Sequence, residues 1–248
     1  MSTLRPGVFR RRISTRTEPG VARADVEDDA HRYGALVRHD GVRVLAVEGF
    51  ALRTPWSACT GAPDALQKLV GMPLSSSPVA MYAHTASSEQ CTHLFDVAGL
   101  AIAHAARGIA LRSYDVDVPI NDRTSARVAT LQRDGVEVLR WTVQGRTELL
   151  GESPYRGLDM RTILDWARRE GLDADAFEAI VVLRRAWLVS GCRNFDLDSL
   201  PTAADGTVRL GACHVYRVGV VETARRNVGS MLDFTSAPER LLADLHAG

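Results

Sequence analysis

The chain has 248 residues, 46% hydrophobic and 24% charged, with thirty basic and thirty acidic side chains and no formal net charge. This composition suits a globular chain with apolar material for one large core or two small ones, and it lacks the basic excess of a nucleic-acid-binding domain. No apolar run approaches the roughly 20 residues that span a bilayer, and no apolar segment follows Arg10, Arg11 and Arg12 as a secretory signal requires. The expectation is a cytoplasmic protein with no membrane and no nucleic-acid partner. Lys68 is the sole lysine, and the Arg and Ala bias fits a high-GC bacterial coding sequence.

In chain order, residues 1–19 read as a flexible arm, rich in Arg and carrying Pro6, Ser14, Thr15, Thr17 and Pro19. Strand-like pattern then runs from Val21 to Thr54, with His31–His39 and Val42–Ala51 flanking Asp40-Gly41, a hairpin signal. Pro55 ends the strand. A short helix follows, with Thr60 as N-cap, Pro63 in the first turn, a stripe of Ala65, Leu66, Leu69 and Val70, and Gly71 as stop. Residues 72–86 read as a loop.

Ser87 and Gln90 match a capping box. Behind them Cys91, Leu94, Phe95, Ala98, Ala101, Ile102 and Ala105 recur at helical spacing up to Gly108. Ile109–Val118, Ala126–Gln132 and Val136–Val143 read as strands, the last two joined at Asp134-Gly135. Leu158–Glu170 and Asp175–Val189 read as helices. The span from Cys192 to Cys213 is loop-like, and helices near Val218–Asn227 and Ala237–His246 close the chain. There is no internal repeat.

The expected fold is α+β: an antiparallel sheet with the Ala62–Gly71 and Ser87–Gly108 helices packed on one face, plus a second strand and helix region. The expected organisation is an arm over 1–19, an α+β domain over 20–150 and a mainly helical region over 151–248, with the boundary near Gly145–Gly157.

Common catalytic signatures are absent: there is no G-x-S-x-G, no Walker A, no G-x-G-x-x-G after a strand and no H-E-x-x-H. The four cysteines (Cys59, Cys91, Cys192, Cys213) form no CxxC pair and read as reduced thiols without disulfides. Cys91-Thr92-His93 places a thiol and an imidazole at a helix start, where orphan N–H groups and the helix dipole favour an anion. On a regular helix Cys91 and His93 point about 200° apart, so one site uses both only if the first turn is irregular. The alternative for Cys91 is a small buried hydrophobe.

Cys59 precedes another helix start after Trp56-Ser57-Ala58. With His84, His31, Asp28 and Asp29 on adjacent connections, Cys59 and Cys91 would make a thiolate, imidazole and carboxylate cluster suited to a soft divalent metal. Further on, Arg184, Arg185, Arg193, Arg217, Arg225 and Arg226 accompany Asp196, Asp198, Glu222 and Asp233. They are either surface ion pairs or a guanidinium pocket for a carboxylate or phosphate.

Arg53-Thr54-Pro55-Trp56 with Cys59, Leu69-Val70-Gly71-Met72-Pro73-Leu74, Cys91-Thr92-His93-Leu94, Arg184-Arg185-Ala186-Trp187 and Asp233-Phe234 together resemble the bacterial DUF2889 family, over most of residues 10–240. That family carries no assigned reaction; its members lie among catabolic genes. The first half also resembles the IscU/NifU iron–sulfur scaffold. Cys59 and Cys91 would match two of its three cysteines, Asp25 to His31 occupy the place of the third, and the Pro-Pro-Val-Lys-like chaperone motif is missing.

The leading functional expectation is a catabolic enzyme without a nucleotide cofactor. It would be a lyase, hydrolase or isomerase acting on an organic acid or acyl thioester. His93 and Cys91 are the catalytic candidates, and Arg184, Arg185, Arg193 and Trp56 the substrate-binding ones. The alternatives are a non-enzymatic metal or iron–sulfur-type module on Cys59 and Cys91, with either no cofactor or a divalent metal, and a dimeric interaction protein whose exposed Trp56 or Trp187 surface is the homodimer interface.

Overall fold

The computed structural model describes residues 6–120, 125–151 and 154–246. Eight strands form one antiparallel sheet: β1 (Gly7–Glu18), β2 (Val21–Asp28), β3 (Arg32–His39), β4 (Val44–Arg53), β5 (Leu111–Ile120), β6 (Arg127–Arg133), β7 (Val136–Gln144) and β8 (Glu148–Leu150), in the order β4-β3-β2-β1-β5-β6-β7-β8. Three α-helices accompany it: α1 (Thr92–Arg107), α2 (Ile163–Arg169) and α3 (Ala174–Ser190). The class is α+β, as the sequence implies.

The chain forms two compact units, neither continuous in sequence. The first takes the chain up to Arg12, Ser113–Asp196 and Asp233–Leu241; the second takes Ile13–Arg112, Leu197–Leu232 and the chain from Leu242. The simple division near Gly145–Gly157 is therefore replaced, because both β1 and β5 pass from one unit into the other.

In the second unit, β2, β3 and β4 form a meander. Val26 pairs with Tyr33 and Ala24 with Ala35, and on the far side Tyr33 pairs with Ala51 and Ala35 with Gly49. Strand periodicity puts these residues on one face, and α1 covers β2 and β3 there. The 3-10 segment Pro63–Leu69 touches both β4 and α1. It sits so close that a Cβ on Gly49 would lie 3.0 Å from both Pro63 and Leu66. At the expected hairpin, Asp40 Oδ1 accepts from the N–H groups of Val42 (2.8 Å) and Arg43 (2.7 Å), and Gly41 takes φ 90°. On the other face Arg32 binds both Asp25 (2.9 Å) and Asp244 (2.7 Å), and Arg23 adds a second bond to Asp25.

In the first unit, α3 packs on β6 and β7 and against α2. Asp173 caps α3 by accepting from the Ala176 N–H at 2.7 Å. Trp141, Tyr155 and Trp166 meet edge to face.

Residues 7–18 are not an arm but β1. Phe9, Arg11, Ile13 and Thr15 are buried at every second position. The Arg residues between them pair with strand carboxylates, Arg10 with Asp117 (2.9 Å) and Arg12 with Asp115 (2.6 Å), both in the first unit. The capping box does not form. Ser87–Glu89 is a 3-10 turn, and α1 starts only at Thr92, with extended Cys91 as N-cap. Gly108 ends α1 in the left-handed conformation, φ 66°. Two 3-10 segments, Ser57–Gly61 and Pro63–Leu69, replace the expected helix from Thr60. Turns and the isolated bridges of Arg225 and Arg226 replace the expected helix near Val218–Asn227, and short 3-10 turns replace the one near Ala237–His246.

Gly99 in α1 is the tightest helical approach: a Cβ there would sit 2.3 Å from the Pro78 carbonyl oxygen and 2.4 Å from Met81 Cε. Met81 can swing aside, but the Pro78 backbone cannot. Gly99→Ala should therefore lower stability by about 1–3 kcal/mol despite the better helix propensity of alanine. Urea unfolding should show this as a lower midpoint at an unchanged slope; an unchanged or higher midpoint would contradict the packing.

Candidate functional site

The second unit places an imidazole pair against a buried carboxylate. Where β2 ends and β3 begins, Asp28 N–H donates to the His31 carbonyl (2.9 Å), and Asp28 Oδ1 accepts from the N–H groups of Ala30 (2.9 Å) and His31 (3.0 Å). The same oxygen lies 2.8 Å from His31 Nδ1. A carboxylate only accepts, so Nδ1 is the donor of this contact, and in the neutral ring the in-plane lone pair then lies on Nε2. Asp28 is fully buried and His31 nearly so.

Arg53, the last residue of β4, fixes this turn. Its guanidinium donates to the carbonyls of Asp28 (2.6 Å), Asp29 (2.9 Å), His31 (3.2 Å) and Ser230 (2.9 Å), and to Glu27 Oε1 (3.0 Å).

His93 arrives from the first turn of α1. Its ring stacks on His31, with centroids 3.7 Å apart and planes 25° apart, and lies 5.7 Å from Tyr33 at 8°. Donor atoms of Asp28, His31 and His93 all lie within 4.8 Å of one another. His84 is exposed at the end of the Ala80–Ala83 3-10 turn and is not a member of this grouping.

The thiols sit behind Tyr33, whose hydroxyl hydrogen-bonds both Cys59 and Cys91. Burial pushes the Cys59 thiol up from its ordinary 9.0 to about 11, against a smaller opposing pull from the Tyr33 hydrogen bond. Burial pushes Cys91 up further, and Tyr33 well above the usual phenol range. Cys213 lies near enough to both thiols to add to these shifts. Cys59 and Cys91 are buried and held as neutral thiols in a dry environment.

Trp56 is 4% exposed, packed with Cys59, Ala203, Val215, Val221 and Ala224, with the Arg226 guanidinium 5.7 Å over its ring. Trp187 is equally buried and donates from Nε1 to the Arg146 carbonyl at 2.7 Å. Neither forms the exposed indole surface expected for a dimer interface: the apolar clusters of this chain enclose them.

Arg184, Arg185 and Arg193 belong to the first unit, whereas His93, Cys91, Cys59 and Trp56 belong to the second. Arg184 Nε donates to the Met160 carbonyl at 2.5 Å. Arg193, 2% exposed, pairs with Asp233 at 2.5 Å and binds Thr235 Oγ1 at 3.2 Å.

The sequence groups Asp28, Asp29, His31, His84, Cys59 and Cys91 as one candidate cluster and points to His93, with Cys213 among the four thiols, but it misses the roles of Tyr33 and Arg53. Tyr33 carried one usable signal, an inward position in a period-2 strand. No protein-family model matches this chain, and no curated protein matches it. Among the described residues, no helix is long and apolar enough to cross a membrane.

Burial of the thiols has a consequence in alkali. Above pH 9 the unfolded chain sheds the Cys59 proton that the native state keeps until about 11. Stability should therefore be full below about pH 9 and fall as pH rises towards 11. Urea titrations across that range should show the decline, and Cys59→Ala should flatten part of it. Identical declines in both proteins would place Cys59 in water.

Proposed function

We propose that this chain is a small-molecule enzyme of lyase, hydrolase or isomerase type, with its reaction centre at Asp28, His31 and His93. The observation that carries this reading is the 2.8 Å contact between fully buried Asp28 and His31 Nδ1. A carboxylate that holds one imidazole nitrogen orients the ring and raises the electron density of the other, as in acid–base and nucleophilic sites of many folds. His93, stacked on it, supplies a second imidazole, so the centre has one group to take a proton and one to give it. The resemblance to the DUF2889 family, with members among catabolic genes, points to a small substrate, and organic acids and acyl thioesters are the class to screen.

A second reading, a soft-metal or cluster-binding module at Cys59 and Cys91, is favoured by the meeting of both thiols at the Tyr33 hydroxyl. It requires both buried thiols to lose their protons to the ion.

The test is a thermal-shift screen of organic acids and coenzyme A thioesters, followed by turnover assays on compounds that stabilise the chain. His31→Asn should retain the thermal shift but lower turnover by about 100-fold or more. Full turnover in both His31→Asn and His93→Ala would remove the imidazoles from the mechanism.

A further inference from the structure

We infer that Asp28, His31 and His93 together hold one divalent first-row transition ion. The inference rests on the reading of this cluster as the reaction centre and adds the cofactor that the centre would use.

Ligand type narrows the ion. Two imidazoles and one carboxylate suit zinc, iron(II), cobalt or manganese; calcium and magnesium prefer all-oxygen shells. Distance is already close to what is required. The three donor atoms lie within 4.8 Å of one another; an ion at about 2.0–2.2 Å from each takes the place of the proton between His31 Nδ1 and Asp28 Oδ1, which is released to solvent, and requires the His93 ring to turn. Three protein ligands leave coordination positions for water or substrate, the pattern of catalytic rather than structural sites.

Charge favours a cation at this turn. Residues 27–31 read Glu-Asp-Asp-Ala-His; the Arg53 guanidinium answers the Glu27 carboxylate, which leaves the carboxylates of Asp28 and Asp29, and Asp28 is fully buried. Buried carboxylates persist where they are paired or coordinate metal. Two of the ligands also come from a turn that the backbone contacts of Arg53 hold in place, so little conformational freedom is lost on binding.

The stacked rings define what must move. Imidazole lone pairs lie in the ring plane, and planes only 25° apart at a centroid distance of 3.7 Å run nearly parallel. They cannot both aim at one ion. His31 is tied to Asp28 and to the turn. His93 is only partly buried, at the second residue of α1, so it is the ring that swings. Binding of the ion opens the stack.

The experiment uses the full chain, stripped with chelator and titrated with Co2+ and Zn2+ by calorimetry, with Co2+ also followed by visible absorption. One ion per chain is expected. The Co2+ spectrum should show d–d bands of nitrogen and oxygen ligation and no intense thiolate charge transfer. His93→Ala, at a partly exposed site, should keep the metal-free melting temperature while weakening binding by roughly 100-fold or more, and Cys59→Ala should bind as the wild type does. Absence of binding would overturn the inference, as would unchanged affinity in His93→Ala or loss of binding in Cys59→Ala. If no ion binds but His31→Asn still abolishes turnover, the cation is excluded and the reaction centre survives. If the ion binds through His93 and no substrate is turned over, the metal site stands and the enzyme reading falls.

Discussion

The structure around the candidate site depends on one side chain, the guanidinium of Arg53. The β2–β3 connection closes on itself through the paired backbone bonds of Asp28 and His31, and the Asp29 carbonyl accepts from the Leu232 N–H. Arg53 adds a second donor to the carbonyls of Asp28, Asp29 and His31, and also reaches Ser230 and the Glu27 carboxylate. A hydrogen bond from a charged donor contributes about 1.5–3 kcal/mol, so a guanidinium shared among these acceptors is a large part of what holds the turn. A lysine could not replace this arrangement, because a point charge with three rotatable donors does not match carbonyls spread around a planar fork. Through this contact the end of β4 sets where Asp28 and His31 stand.

Fixing that turn sets the division of chemistry within the second unit. Nitrogen and oxygen donors gather where the β2–β3 turn meets the first turn of α1, with His93 partly exposed, and the buried sulfur donors Cys59 and Cys91 gather behind Tyr33. Desolvation holds the thiols neutral and unreactive at ordinary pH. The residues with the most conspicuous chemistry in the sequence, the cysteines, are therefore the ones that packing silences.

How far the sequence revealed this depended on the range of each interaction. The Asp40-Gly41 hairpin, the apolar stripe of α1 and its Gly108 stop rest on neighbours a few residues apart, and they were legible. β1 was not, because its alternation is written partly in arginine. Arg11 is buried, and Arg10 and Arg12 are neutralised by Asp117 and Asp115 more than a hundred residues away. The segment after Thr60 carried helical spacing, but the close approach of Gly49 to Pro63 and Leu66 accompanies a tighter 3-10 winding. At the site, residue types pointed to His93 and the two cysteines. The register that pairs Tyr33 with Val26 and the four carbonyls bound by Arg53 leave no local mark, since any residue could supply the carbonyls.

The junction at Tyr33 also resolves the helical geometry at residues 91–93. Two residues apart on a regular helix, Cys91 and His93 diverge by about 200° and could not meet the same partner. Cys91, however, stands outside the helix: φ −71° and ψ 123° make it an extended N-cap, and its carbonyl accepts the first helical bond from Phe95 at 2.9 Å. The extended backbone turns the thiol inward to the phenol hydroxyl, and the helix then presents His93 to the face of the same ring. A chain helical from Ser87 onward, as the unused capping box implies, would have kept the two side chains on opposite sides. The delayed start of α1 is thus what allows one tyrosine to separate a thiol pair from an imidazole pair.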